Sequence, residues 1–337
     1  MFYFPLFPST KYKLNNSAYV AIDMWYVIPG NCLTCFLMWK DRKTSAMSLL
    51  MINLAVVDIL ILFIWTSQTA IPAFCDYFKG CRLYDSIKPE VLVYGWPFGT
   101  TFQLMGTWSI VSITFSRFVS VCWPSRATHL NNRRQVLIRT LVLHIACIVF
   151  SSFRFAELYI VREENGNKLV KRTALSASPS YRYVYTVSLY YFITYLLPLS
   201  LLVYFTVRLS INLKEMNKKR EEMTRKAKER SDLTLSLVIV VVIFIFCQLF
   251  NPIRRLLYVI YSPFNLGCGT PIFYFISWAV IFVNLNSACN FFIFCLCSPG
   301  FRRQLKQIIA KRGQIEPLGL STTGNNANLN AQISSCI

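Results

Sequence analysis

Seven stretches of this chain are long, apolar and almost free of charge, and they constrain its fold more than any other feature. A bilayer core demands about 20 apolar residues per helical span. Ala18 to Trp39 carries only Asp23, Ala46 to Phe74 only Asp58, and Val91 to Ser116 no charge at all. Val136 to Leu158 is the weakest, because Arg139, Arg154 and Glu157 bracket a short apolar middle; its long basic side chains are expected to snorkel from the ends. Tyr183 to Val207 and Leu233 to Ile253 are uncharged, and a seventh span lies within the charge-free run Pro271 to Phe301. With 55% hydrophobic and only 15% charged residues, a soluble domain is excluded. The expected fold is an all-α membrane protein, a bundle of seven transmembrane helices over residues 18–297.

Orientation follows from the basic residues, since cytoplasmic flanks retain an excess of Lys and Arg. Of the 35, 22 fall on alternate flanks at 40–43, 117–139, 208–230 and 302–312. That predicts an extracellular N-terminus at residues 1–17 and a cytoplasmic C-terminus, in the plasma membrane. The net charge of +20 is spread around the spans rather than along one soluble face, which points to membrane lipid and not to nucleic acid. Met1 to Ser17 lacks the pattern of a secretory signal peptide, so the first span is expected to serve as the targeting signal. Asn15-Asn16-Ser17 is a glycosylation sequon abutting that span.

The connections are short, so one bundle with no separate soluble domain is expected. Lys214 to Asp232 pairs Glu215 with Lys219, Glu221 with Arg225 and Glu222 with Lys226 at i,i+4, which reads as helix or as a solvated linker. Beyond the break at Ser298-Pro299-Gly300, Phe301, Leu305, Ile308 and Ile309 share one face among basic residues. A short amphipathic helix on the membrane surface is expected over 298–312, followed by a disordered tail over 313–337.

Polar groups inside a span are costly and mark function by default. Asp58 stands in mid-span in Asn53-Leu54-Ala55-Val56-Val57-Asp58, and a carboxylate there requires donors. Asn31 in the first span with Asn286 and Asn290 in the seventh supplies them, which predicts a central polar hub. The two histidines, His129 and His144, are isolated, and no metal-ligand spacing, phosphate loop or nucleophile motif is present. No cofactor is expected, and the chain does not read as an enzyme. A transporter is a weaker alternative, as the two halves show no repeat. Of the twelve cysteines, Cys75, Cys81 and Cys268 are expected outside; Cys75 can bridge Cys81, or either can pair with Cys268.

At the end of the third span stands Ser116-Arg117-Phe118-Val119-Ser120-Val121-Cys122-Trp123-Pro124. Together with Asn31, Leu54-Ala55 and Asp58, Pro198 in span five and Asn286-Ser287-Ala288-Cys289-Asn290 in span seven, it resembles the rhodopsin-like G-protein-coupled receptor signature, in order and spacing, from Gly30 to about Leu305. Arg154-Phe155-Ala156-Glu157, Arg172-Thr173-Ala174-Leu175 and Cys247-Gln248-Leu249 are similar to passages of invertebrate FMRFamide-type neuropeptide receptors.

The resemblance implies a receptor that binds an extracellular peptide and activates a heterotrimeric G protein. Arg117 with Ser116 would be the switch facing the G protein, and Phe244 and Gln248 the packing pivot of span six. The chain also departs from the family. Ser116 stands where an acid usually pairs with the arginine, Gln248 replaces a tryptophan, Phe291 a proline, Phe294 a tyrosine, and Thr206 sits where a tyrosine is common. Leu92 occupies the place of the bridging cysteine, and the second outer connection has no cysteine, so the usual disulfide cannot form.

A pocket for a peptide with aromatic side chains would draw on Trp96, Phe98, Phe102, Tyr190, Tyr191, Tyr258, Tyr261 and Trp278, residues that equally suit packing or a lipid-interface belt. The arginine of an Arg-Phe-amide peptide wants a carboxylate, for which Glu157 is the first candidate and Asp85 and Glu90 the next. Glu157 could instead pair with Arg154 at i,i+3. Arg254 and Arg255 could reach ligand carbonyls or snorkel. The runner-up reading is a chemosensory receptor of the same fold for a small molecule.

Overall fold

The computed structural model describes residues 28–39, 46–78, 82–164, 166, 168–218, 238–239, 241–260, 270–272, 274–275, 278–279 and 282. Helix α1 spans Ile28–Trp39, α2 Ala46–Phe78 and α3 Arg82–Cys122. At 1.5 Å per residue α3 runs about 60 Å, roughly twice a hydrocarbon core, so it projects well beyond the lipid. It is the central post, packed against α2, the fourth span and the fifth.

Small residues let α2 and α3 close together. A Cβ on Gly99 would lie 3.2 Å from Ile64 and 3.4 Å from the Trp65 ring, and one on Gly95 would collide with the Gln68 amide. Tight backbone approach of this kind replaces the hydrophobic driving force that lipid cannot supply.

The chain breaks at Trp123, and the short α4 (Pro124–Leu130) starts on a proline whose missing N–H costs nothing at a first turn. Asn132 then caps α5 (Arg133–Ser151), which tightens into a 3₁₀ turn over Ser152–Ala156. The run Arg133–Ala156 is long and apolar enough to cross a bilayer, despite its bracketing charges. Ile138, Leu141, Val142, Ile145, Ile148 and Val149 lie on one exposed face of it, an apolar stripe suited to lipid.

Among the described residues four helices have that length and apolarity: Ala46–Gln68, Ser86–Cys122, Arg133–Ala156 and Tyr181–Asn212. Two shorter apolar helices, Ile28–Trp39 and Val241–Arg254, fall in the expected first and sixth spans. The fifth span is built of wide π-helical turns over Tyr181–Leu189 and Phe192–Leu196, then α7 (Leu197–Lys218). Pro198, lacking an N–H, accounts for the second wide turn, because the carbonyl one turn back has no backbone donor. Helix at 241–248 turns at Leu249 into α8 (Phe250–Ile260).

The expectation of a purely helical protein needs one correction. Strands β1 (Leu158–Arg162) and β2 (Lys168–Arg172) form an antiparallel hairpin with Leu158 opposite Arg172 and Arg162 opposite Lys168. Its turn places Gly166 at φ 82°, a left-handed conformation, and the Gly166 N–H donates to the Glu163 carbonyl at 2.9 Å. Thr173 then caps the single-turn α6 (Ala174–Ala177).

Most of the core gathers toward the Cys122 end of α3. Leu37, Leu50, Leu54, Ile110, Ile113, Phe118, Val119, Val136, Leu202, Leu209, Val241 and Phe244 are buried together there. The expected N-terminal segment 1–17, the surface helix 298–312 and the tail 313–337 lie outside the described residues. Lys214–Lys218 is helical, continuing α7 into the segment expected as either helix or linker.

Candidate ligand and switch sites

Two ends of α3 carry the polar architecture, one beside the hairpin and one at Arg117. At the Arg117 end, burial of Phe118 fixes the local geometry. Its side chain is 1% exposed and packs against Trp123 (4.8 Å between centroids), Phe205 (5.1 Å) and Tyr204 (6.0 Å). Phe205 in turn meets Phe115 at 5.6 Å. With Phe118 directed into the core, Arg117 is half-buried at the helix end.

Ser116 is buried and does not stand alone. The Arg139 guanidinium reaches from α5 and donates to the Ser116 hydroxyl at 2.6 Å and to the Ser112 hydroxyl at 3.2 Å, while lying 5.1 Å from the Phe115 ring centroid. Asn131, just before α5, donates to the Ser116 carbonyl at 2.7 Å and to the Ser120 hydroxyl at 2.8 Å. From α7, Asn212 donates to the Cys122 sulfur at 3.2 Å. This clamp is absent from the sequence reading, which sent Arg139 outward to solvent. It turns inward because two serines one helical turn apart on α3 offer it acceptors.

Asp58 and Asn31 are both buried, at 3% and 2% exposure, and the Asn31 amide nitrogen has no hydrogen-bond partner among the described residues. Asn286 and Asn290 lie outside the described residues. A polar link not singled out in the sequence joins α2 to α3, where the Asn53 amide donates to the Ser109 hydroxyl at 2.8 Å and that hydroxyl to the Met105 carbonyl at 2.7 Å. Phe244 and Gln248 are both buried in the helix at 241–248.

At the hairpin end, Arg154 is a pillar. It is 3% exposed, stacked 4.1 Å over the Tyr190 ring and 5.7 Å over Tyr185, and paired with Glu157 at 3.4 Å. Tyr181 donates to the same Glu157 oxygen at 2.9 Å, and Tyr185 donates to the Phe150 carbonyl at 2.6 Å. Glu157 is thus in contact with Arg154 at i,i+3 spacing and with Tyr181. Arg154, too, turns inward instead of snorkelling, since Tyr185 and Tyr190 of the fifth span give it aromatic faces and Glu157 an acceptor shared with Tyr181.

Of the remaining pocket candidates, Trp96 meets Trp65 edge-on at 5.8 Å, Phe102 stacks with Phe98 at 6.2 Å, and Phe98 meets Phe155 at 5.0 Å. Tyr191 donates to the Pro252 carbonyl at 2.8 Å, tying the fifth span to α8. Tyr190 is fully buried. Arg254 is turned onto the Asn251 side-chain oxygen at 2.7 Å, and Trp278 is largely exposed. The side chains of Asp85, Arg255 and Tyr258, and residues Tyr261, Cys81 and Cys268, lie outside the described residues. Cys75 is disulfide-bonded, whereas Cys32, Cys35, Cys122 and Cys147 are free thiols. No group of three or more metal-ligating side chains occurs among the described residues.

Residues 31–312 match the family described as serpentine type 7TM GPCR chemoreceptor Srw. The chain is similar to a Drosophila melanogaster "FMRFamide receptor", 22% identical over 85% of this chain and 52% of that receptor. It is likewise 22% identical to the Caenorhabditis elegans protein "Probable G-protein coupled receptor frpr-1", over 83% of this chain and 75% of that one. A third relative is the Caenorhabditis elegans "FMRFamide peptide receptor frpr-18", 23% identical over 83% of this chain and 66% of its own length. The chain thus spans about half the length of the Drosophila receptor it matches.

Proposed function

We propose, from the premise that this chain belongs to the serpentine-type seven-transmembrane G-protein-coupled receptor family Srw, that it is a rhodopsin-like receptor for an FMRFamide-like neuropeptide. One observation carries the ligand class: relatives named for FMRFamide align with it over more than four-fifths of its length. In this reading the hairpin end faces outward and the Arg117 end faces the cytosol and a heterotrimeric G protein.

The geometry suits such a switch. A peptide shifts the population between two bundle packings, and only a differential contact with the two packings can do so. At the cytoplasmic end, Arg117 would enter the G-protein cleft when the fifth and sixth spans move away from α3. Ser116, bound by Arg139 and Asn131, would hold α3 to the fourth span in the resting packing, in place of the acid that other family members use. Asp58 with Asn31 and the two asparagines of span seven would form the hub, and Phe244 and Gln248 the pivot. The seventh span, and with it a complete seven-helix bundle, belongs to this reading.

A second reading, a chemoreceptor for a small molecule, draws on the description of the family itself. The test is G-protein activation in cells that express the chain at their surface, challenged with amidated Arg-Phe peptides and compared with Arg117→Ala. A saturable response lost in Arg117→Ala supports the peptide reading. Silence of the wild-type chain with surface expression verified overturns it and favours the small-molecule reading.

A further inference from the structure

Resting on the peptide reading, we infer that Glu90 at the outer end of α3 is the subsite for a guanidinium-bearing ligand, and that Lys168 of the hairpin occupies it until the ligand arrives. Lys168 donates from β2 to one Glu90 carboxylate oxygen at 2.5 Å and to the Ser86 carbonyl at 2.9 Å. These contacts join residues almost eighty positions apart and pin the hairpin, whose two strands both lie against α3, to that helix.

Three features make the pair a displaceable latch. First, the second Glu90 oxygen, shielded from solvent, has no hydrogen-bond partner among the described residues. A lysine ammonium is a single point charge and leaves that oxygen unmet, whereas a guanidinium fork bonds both oxygens of one carboxylate. Second, both side chains keep a wet edge, 36% exposed for Glu90 and 26% for Lys168, so a ligand can reach the pair without unfolding anything. Third, the rival carboxylate, Glu157, is already committed to Arg154 and Tyr181 within a buried aromatic cluster.

The position also has a consequence for the loop. Leu92 stands two residues beyond Glu90 and the hairpin connection has no cysteine, so no disulfide joins the hairpin to α3. The ion pair is a polar link between them, and unlike a disulfide it opens by competition. A ligand arginine that takes Glu90 releases Lys168 and with it the hairpin, so ligand binding and loop movement become one event.

The experiment uses the full-length receptor in lipid nanodiscs and in cells. Glu90→Gln should reduce the potency of an Arg-Phe-amide peptide at least tenfold. The same peptide with citrulline in place of arginine should lose as much on the wild type and nothing further on Glu90→Gln, the non-additivity expected of two groups in contact. Lys168→Gln, which removes the competitor, should raise potency several-fold. Independently of signalling, amide hydrogen exchange in residues 158–172 should accelerate in Lys168→Gln. In the wild type, but not in Glu90→Gln, it should also accelerate on adding millimolar L-argininamide.

Additive losses from Glu90→Gln and citrulline would overturn the subsite, as would hairpin exchange indifferent to both Lys168→Gln and L-argininamide. A peptide library silent on the wild type while L-argininamide still loosens the hairpin would sink the peptide reading and leave the guanidinium subsite standing.

Discussion

The two ends of α3 are held by different chemistry. At the hairpin end, charge meets charge: Arg154 with Glu157 inside a cluster of tyrosines, and Lys168 with Glu90 across the loop. At the Arg117 end the half-buried guanidinium of Arg139 rests on two serine hydroxyls, and Asn131 reaches a carbonyl and a third hydroxyl. Removing one partner of a buried ion pair strands a charge, which costs about 3–5 kcal/mol. A hydrogen bond to a charged donor contributes only about 1.5–3 kcal/mol, and a neutral one about 1 kcal/mol. The buried Arg154–Glu157 pair is thus costly to break, whereas the partly exposed Lys168–Glu90 pair can open to a competitor. The Arg117 end can exchange partners cheaply, which is what a segment that must adopt two packings requires.

The largest effect should come from breaking the buried pair. Glu157→Ala leaves Arg154 charged and uncompensated against Tyr190, and should cost about 3–5 kcal/mol, read as a strongly lowered unfolding temperature in detergent and poor surface expression. Tyr181→Phe, removing one hydrogen bond to the same carboxylate, should cost far less. If Glu157→Ala were no more damaging than Tyr181→Phe, Arg154 would not depend on its partner and the contrast between the two ends would fail. Next comes the apolar anchor of the other end. Phe118→Ala empties a fully buried site among Trp123, Tyr204 and Phe205 and should cost about 3 kcal/mol or more, with Phe118→Leu recovering most of it in the same unfolding measurement.

These contrasts also mark how far the sequence could be read. Apolar runs and their charges located helices well, because a span must satisfy its own backbone and so declares itself locally. Burial of Asp58 and Asn31 followed from the same reasoning, as did the alternative pairing of Glu157 with Arg154 at one-turn spacing. The hairpin, by contrast, has a signal in the sequence. Asn165-Gly166 separates Leu158-Tyr159-Ile160-Val161 from Lys168-Leu169-Val170, a turn pair between two β-prone runs. The inward turns of Arg139 and Arg154 were not readable. Snorkelling is the right default for a lone cation near a span end, and it yields only to partners on other helices: the hydroxyls of Ser112 and Ser116 for one, the ring faces of Tyr185 and Tyr190 for the other. Such partners are set by helix packing, to which local periodicity is blind. Lys168 and Glu90, 78 residues apart, meet for the same reason.

The clamp sharpens the comparison with a smaller but more informative effect. Arg139→Gln keeps a donor but removes the charge, and should loosen α3 from the fourth span by about 1–2 kcal/mol. Ligand-free G-protein activation should then rise several-fold, while surface expression falls little. A rise that appears only together with misfolding would assign Arg139 to stability alone.

Smallest is the restoration of the acid. Ser116→Asp is expected to lower ligand-free signalling by a few-fold, and the structure changes the reason. An aspartate there would lie beside the Arg139 guanidinium, whose nitrogen is already 2.6 Å from the serine oxygen, before any pairing with Arg117 is considered. A charge-assisted bond is roughly twice as strong as a neutral one, so the acid should tighten the existing clamp. The two routes separate in the double variant. If Arg139 is the partner, Ser116→Asp combined with Arg139→Gln should lose most of the quieting effect and strand a carboxylate at a buried site, at a cost in stability. If Arg117 is the partner, the quieting should persist undiminished, since Arg139 contributes nothing to it. Basal signalling of the four combinations, normalised to surface expression, therefore assigns the resting-state restraint either to the bond between α3 and the fourth span or to the neighbouring pair on α3 itself.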